Sequence, residues 1–256
     1  MSDKPALTGR SWLIPVLVLA AAAVVIAVLL WPDDDAQQSR AGQGPDQQSQ
    51  SAEEDVPADV VNPDEYEDPD QTDFSYVEAR DEQDPLAAGD VDAPVGLVVF
   101  SDYQCPFCAS WSHETLPAMM DYVEAGDLRI EWRDLNVFGP ASEAASQAAY
   151  AAGLQGEFWQ YHDELFVEGE TRSESALSDE ALTELAGELG LDVEQFSQDM
   201  HSDQVIEEIE ANQQMGFDLG AHSTPVFVLD GEPVVGAQPT EVFTDAVDEA
   251  LEASQE

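Results

Sequence analysis

The sequence predicts one α/β domain with a helical insertion, carried behind a single membrane-spanning segment and an acidic stalk. Three observations predict it. An apolar run of strand type leads into Cys105-Pro-Phe-Cys108, then into an amphipathic helix and a second strand, which together make a βαβ unit. About 90 residues of helical pattern follow before a strand–Asp-Gly–strand hairpin and a last helix. A block of 20 uncharged residues, Trp12 to Trp31, stands apart near the N-terminus.

That block comes first in the chain. At 1.5 Å per residue it spans about 30 Å, the thickness of bilayer hydrocarbon, and a tryptophan marks each end. Lys4 and Arg10 precede it, and Asp33, Asp34 and Asp35 follow. The positive-inside rule therefore puts 1–11 in the cytoplasm and everything after residue 31 outside. The block ends Val28-Leu-Leu-Trp31 rather than in small residues, so it reads as an uncleaved anchor and not a cleaved signal. Residues 32–74 are rich in Asp, Glu, Gln, Ser, Pro and Gly and bury too little to offset chain entropy, so a disordered stalk is expected. A coil of that length reaches roughly 35 Å, and self-repulsion extends it.

Composition excludes several functions. The 256 residues hold 55 Asp and Glu against 7 Lys and Arg, a net charge of −48, and Lys4 is the only lysine. Nucleic acid and anionic lipid both require clustered bases, so neither is a partner on this reading. Two cysteines exclude a disulfide-stapled scaffold and a four-thiolate metal site. The acidity reads as a hydrated, self-repelling surface of the kind used at high salt.

The domain is expected over 75–256. Gly96-Leu-Val-Val-Phe100 reads as a buried strand. After the cysteines, Leu116, Met119, Met120 and Val123 recur on one helix face to about Ala125, with Pro117 kinking that helix. Leu128 to Leu135 alternates apolar and polar residues, the pattern of a strand with one buried face. The insertion, about 140–218, reads as helices over 141–155, 157–166, 178–189 and 202–216, with a short turn near Val193–Phe196. Val226-Phe-Val-Leu229, the Asp230-Gly231 turn and Val234-Val235 form a hairpin. Pro239 opens a helix whose apolar face is Val242, Phe243, Ala246, Val247, Ala250 and Leu251.

The chemistry sits in Cys105-x-x-Cys108. A cysteine at a helix N-terminus has its thiolate stabilised by unpaired N–H groups and the helix dipole, and the thiolate is the reactive species. Cys105 would then form mixed disulfides and Cys108 would resolve them. Two blander readings stand beside this one. A structural disulfide over four residues gains little loop entropy. A metal site would need His113, which lies five residues past Cys108 at no familiar zinc spacing.

Phe100-Ser-Asp-Tyr-Gln-Cys-Pro-Phe-Cys108 resembles the active-site stretch of DsbA-like thiol:disulfide oxidoreductases, in particular their membrane-anchored branch. Further matches are Asp84-Pro-Leu86 with Ala93-Pro-Val95, Gln155-Gly-Glu-Phe-Trp159 with His162-Asp-Glu-Leu-Phe166, Ser223-Thr-Pro-Val-Phe227, and Gly236-Ala-Gln-Pro239. The resemblance covers about 75–254 and implies a thioredoxin-like fold with an inserted α-helical subdomain. It implies that Thr224-Pro225 is a cis-proline loop that packs on the cysteine pair and offers the Thr224 backbone to an extended substrate. It implies that Pro106 and Phe107 tune the redox potential. It also implies that no cofactor is needed beyond the Cys105–Cys108 disulfide. The partners it implies are exported proteins with free or paired cysteines and a quinone-linked membrane thiol oxidase.

Other candidates read as structural. Trp111 packs the core, Asp102 supports the strand end, and His113 is an exposed helix residue. The stripe Phe158, Trp159, Tyr161, His162, Leu165 and Phe166 packs the insertion onto the core. The function expected is an extracytoplasmic thiol:disulfide oxidoreductase that forms disulfides in exported proteins. The rivals are a reductase or isomerase of the same fold, a peptide-binding module indifferent to its cysteines, and a metal carrier using Cys105, Cys108 and His113.

Overall fold

The computed structural model describes residues 73–255. The expected cytoplasmic tail (1–11), the anchor (12–31) and all of the 32–74 stalk but its last two residues lie outside the described residues. Among the described residues no helix is long and apolar enough to cross a membrane.

The centre of the domain is β2 (Val95–Ser101), which parallels β3 (Leu128–Asp134) from Val95↔Leu128 to Ser101↔Asp134. On its other side β2 pairs antiparallel with β4 (Val226–Leu229), and β4 with β5 (Glu232–Val235). A two-residue edge strand, β1 (Ala87–Ala88), which the sequence pattern did not show, completes the order β1-β3-β2-β4-β5. Alternation divides β2 between two cores. Leu97 and Val99 face the larger one, with Trp111, Met119, Trp132 and Phe227, while Val98 and Phe100 face a smaller one with Val77, Leu135 and Val228. The hairpin turn is of the primed kind that matches strand twist, with positive φ at both Asp230 (48°) and Gly231 (79°).

The stretch after the cysteines is two helices, α1 (Pro106–Glu114) and α2 (Leu116–Ala125), and not one kinked helix. Pro117 is the reason. Its ring cannot sit inside a continuing helix, but it is tolerated in the first turn of a new one, where the missing N–H has no partner to lose. The insertion then runs as α3 (Pro140–Gly153), α4 (Phe158–Leu165), α5 (Asp179–Glu188), α6 (Val193–Met200) and α7 (Asp203–Asp218). The expected short turn at Val193–Phe196 is a full eight-residue helix, α6, capped by Asp192, whose carboxylate accepts from the N–H groups of Glu194 and Gln195. Helix α7 crosses the smaller core at Gly216, where a Cβ would stand 3.0 Å from Leu135 and 3.2 Å from Phe100. The last helix, α8 (Thr240–Ala253), buries Phe243 and Val247, but Val242 is exposed rather than part of its apolar face.

Strand β3 departs most from expectation, since all seven of its residues are buried. Its polar face, Arg129, Glu131 and Arg133, is covered by the segment leading to β1. Glu131 accepts from Arg129 and Arg133 at 2.9 Å and from the backbone of Ala79 and Arg80 at 2.8 Å, and Arg133 pairs with Asp84 at 2.8 Å. Burial pushes the Glu131 carboxyl up, but these donors and cations together bring it below the usual carboxylate range. Charges this deep persist because each is paired and hydrogen-bonded.

Candidate active site

Cys105 is the N-cap residue of α1, with extended dihedrals (φ −86°, ψ 116°), and Pro106 begins the helix. The Cys105 carbonyl accepts from the N–H groups of Cys108 and Ala109, both at 3.1 Å, which winds the chain so that the two thiols lie one turn apart. Both are free thiols and almost fully buried, at 1% exposure each. Between them Pro106 and Phe107 face solvent, and Phe107 is 67% exposed. Across from Cys105 lies the Thr224–Pro225 peptide, which is cis, and the Cys105 thiol donates to the Thr224 carbonyl at 3.3 Å.

These surroundings separate the two thiols. A hydrogen bond from the Cys108 thiol is the largest influence on Cys105. It outweighs burial and, with help from Thr224 and the backbone N–H groups of Cys108 and Phe107, lowers the Cys105 pKa from 9.0 to about 6. Burial, together with the neighbouring Cys105 charge, pushes Cys108 far above the ordinary thiol range. At neutral pH Cys105 is therefore a thiolate and Cys108 a thiol. A low-pKa sulfur that also meets a buried neutral thiol is equipped for both halves of thiol–disulfide exchange: forming a mixed disulfide and resolving it.

Asp102 builds the floor beneath. Its buried carboxylate accepts from Gln104 N (2.7 Å) and Ser142 Oγ (2.6 Å) through Oδ1, and from Val137 N (2.7 Å) and Phe138 N (3.0 Å) through Oδ2. It thus ties the loop before Cys105 to the loop after β3. Trp111 packs against Phe227 and Phe243 with centroids 4.8 and 5.6 Å away. His113 is exposed and lies against Gly169, about 140° around α1 from Cys108.

A family model described as Thioredoxin matches residues 81–249. The chain belongs to the thioredoxin family. Among its relatives, a "Probable disulfide bond formation protein D" of Bacillus anthracis is 29% identical over 149 residues, covering 56% of this chain and 68% of that protein. A "Na(+)/H(+) antiporter NhaA" of Herminiimonas arsenicoxydans is 36% identical over 169 residues, covering 65% of this chain but only 25% of the antiporter, so the chain spans a quarter of that relative's length. The crystal structure of alpha-DsbA1 of Wolbachia pipientis shares the fold, with a TM-score of 0.59 and 17% identity over 66% of this chain and 92% of that one. Within the thioredoxin family this chain is similar in fold to alpha-DsbA1 and in sequence to the disulfide bond formation protein D.

Two polar groups of this thioredoxin-family site escaped the sequence reading. Asp134 ends β3 beside Ser101, 1% exposed, and burial raises its carboxyl to about 7. His162, read as one member of a packing stripe, is wholly buried and hydrogen-bonded to Tyr103 and Ser112 on either side of the cysteines. The only signal for either was a polar residue at an inward position of an otherwise apolar pattern. The rest of the stripe packs as read: Phe158, Tyr161, Leu165 and Phe166 are buried, and Trp159 is partly so.

Proposed function

We propose that this protein is an extracytoplasmic thiol:disulfide oxidoreductase that forms disulfides in exported proteins. The observation carrying the reading is the asymmetry of the Cys105–Cys108 pair at the N-terminus of α1, facing the Thr224 backbone. In the oxidised enzyme a client thiolate attacks Cys105 Sγ, the Cys105–Cys108 bond breaks, and Cys108 leaves with the electron pair and takes a proton. A second client thiolate then attacks the mixed disulfide at the client's sulfur. The client leaves oxidised and Cys105 leaves as a thiolate, which is stabilised. Stabilising the leaving thiolate favours donation, because a low-pKa thiol leaves faster and its reduced form lies lower in free energy.

Thr224 and Pro225 serve on this reading as the substrate-pairing edge, Pro106 and Phe107 as the residues that tune the pair, and the disulfide itself is the only redox group needed. The uncharged block at 12–31 supports a single-pass membrane location with the domain outside. The relative named for disulfide bond formation supports the direction of flow. Re-oxidation would fall to a quinone-linked thiol oxidase in the same membrane. The test is the reduction potential of the full chain against glutathione buffers, together with oxidation of a reduced, unfolded client. A potential near about −120 mV supports donation, and one near about −270 mV overturns it in favour of a reductase. Cys105→Ser must abolish turnover, since a peptide-binding module would keep its activity.

A further inference from the structure

His162 lies in α4, in the helical insertion, yet its side chain reaches the active-site helix. It is 0% exposed, and burial lowers its pKa to about 3, so the imidazole is neutral. Five aromatic rings enclose it: Trp132 at 4.3 Å between centroids, Phe166 at 5.2 Å, Tyr103 and Trp159 at 5.7 Å, and Phe158 at 5.8 Å. An apolar ring would fill such a cage without the penalty of burying two nitrogens. Both nitrogens are used: Nδ1 meets Tyr103 OH and Nε2 meets Ser112 Oγ, each at 3.2 Å. A neutral imidazole serves both by donating through one nitrogen and accepting through the other.

The two partners bracket the chemistry. Tyr103 stands two residues before Cys105, in the loop that enters α1. Ser112 stands four residues after Cys108, one turn on and on the same face of α1. Both are nine-tenths or more buried. Apart from Thr224, the groups that stabilise the Cys105 sulfur, the Cys108 thiol and the first backbone N–H groups of α1, lie between these attachments.

We propose that His162 is a positioning residue of the exchange site: through its two ring nitrogens the helical insertion grips both flanks of the Cys105–Cys108 turn and holds the geometry in which the Cys105 thiolate is stabilised. The insertion thereby acts as part of the redox site and not only as a cover. This inference rests on the proposed exchange activity, and the experiment separates the failure of one from the failure of the other.

The test uses the full chain and three variants. His162→Phe keeps the ring and loses both hydrogen bonds. His162→Gln keeps a donor and an acceptor. The double variant Tyr103→Phe with Ser112→Ala removes the two partners and leaves the imidazole alone. For each, the equilibrium constant against glutathione and the pH midpoint of Cys105 thiolate absorbance are measured, with a urea midpoint as the control for folding. His162→Phe and the double variant should each lower the equilibrium constant about tenfold, about 30 mV, and move the Cys105 midpoint to higher pH. His162→Gln should stay within about threefold of wild type, because either end of its amide can meet one partner. Should His162→Phe fail to fold, the double variant decides. Variants that fold and keep the wild-type constant and midpoint would reduce His162 to packing and overturn the inference, as would His162→Gln matching His162→Phe. A wild-type chain that exchanges nothing with glutathione would instead overturn the proposed function.

Discussion

Raising the pH of a glutathione-buffered redox titration from 5 to 8 carries Cys105 through its midpoint while Cys108 keeps its proton. Below the midpoint, reduction of the Cys105–Cys108 bond takes up two protons, so the potential falls by about 59 mV per pH unit. Above it only Cys108 is protonated on reduction, and the slope halves to about 30 mV. With Cys105 at about 6 in place of the ordinary 9.0, the thiolate stabilises the reduced form by about 1.4 kcal/mol at pH 7, equivalent to about 30 mV. Across the whole interval the potential should fall by about 120 mV, where a pair of ordinary thiols would fall by about 180 mV. Since glutathione behaves as an ordinary thiol over this range, its equilibrium constant with the protein should rise about ninetyfold from pH 5 to pH 8. The assay is equilibration at each pH, acid quenching, and separation of the reduced and oxidised chain. A potential that keeps the steeper slope up to pH 8 would mean that Cys105 is no thiolate at neutral pH, and the account of the α1 N-terminus would fail. The same titration bears on folding. A depressed thiol stabilises the reduced fold most fully above the unfolded-state pKa, and that gain is lost as pH falls through about 6.

Removing the strongest single donor should show directly: Cys108→Ala should raise the pH at which Cys105 is alkylated by iodoacetamide, and Cys108→Ser, which keeps a donor, should restore most of the lowered midpoint. Asp134 predicts the opposite pH trend in stability. Its folded carboxyl holds a proton up to about 7 against the ordinary 3.8, so folding loses roughly 3 kcal/mol from this residue between pH 5 and pH 8. In urea unfolding Asp134→Asn should therefore gain on wild type as pH rises, and a difference independent of pH would contradict the raised carboxyl. Asp102→Asn keeps the size of the side chain but turns an NH2 toward backbone N–H donors, so at least one of the four bonds is lost, and the rest lose their charged acceptor. A loss of about 2–4 kcal/mol in urea unfolding is expected, and a loss under about 1 kcal/mol would show that the two loops hold without it.

Much of this was legible in the chain because the signals were local. Apolar runs and period-3.6 patterns placed β2, β4, α4 and α7 within a few residues, and Asp230-Gly231 announced a turn that only residues tolerant of positive φ make easily. The cysteine spacing, one helical turn, singled out the two sulfurs of the candidate site before any contact was known. What stayed hidden depended on partners distant in sequence. Arg129, Glu131 and Arg133 look like a solvent face, and only the return of the segment around Glu78, Arg80 and Asp84 makes them an interior. Alternation reports which residues share a face of a strand, but not whether that face meets water.

The sequence by itself determined the βαβ frame, the insertion, the hairpin and the identity of the two sulfurs, because each follows from backbone preference and short-range spacing. Tertiary structure alone decided the difference between those sulfurs, since it let the Cys108 thiol donate to Cys105 at the N-terminus of α1 and buried Cys108. It also gave the insertion its hold on the site, by placing one neutral imidazole from α4 between Tyr103 and Ser112. A pKa is set by the whole local dielectric and every charge and dipole near the group, and that sum does not exist until the chain has folded.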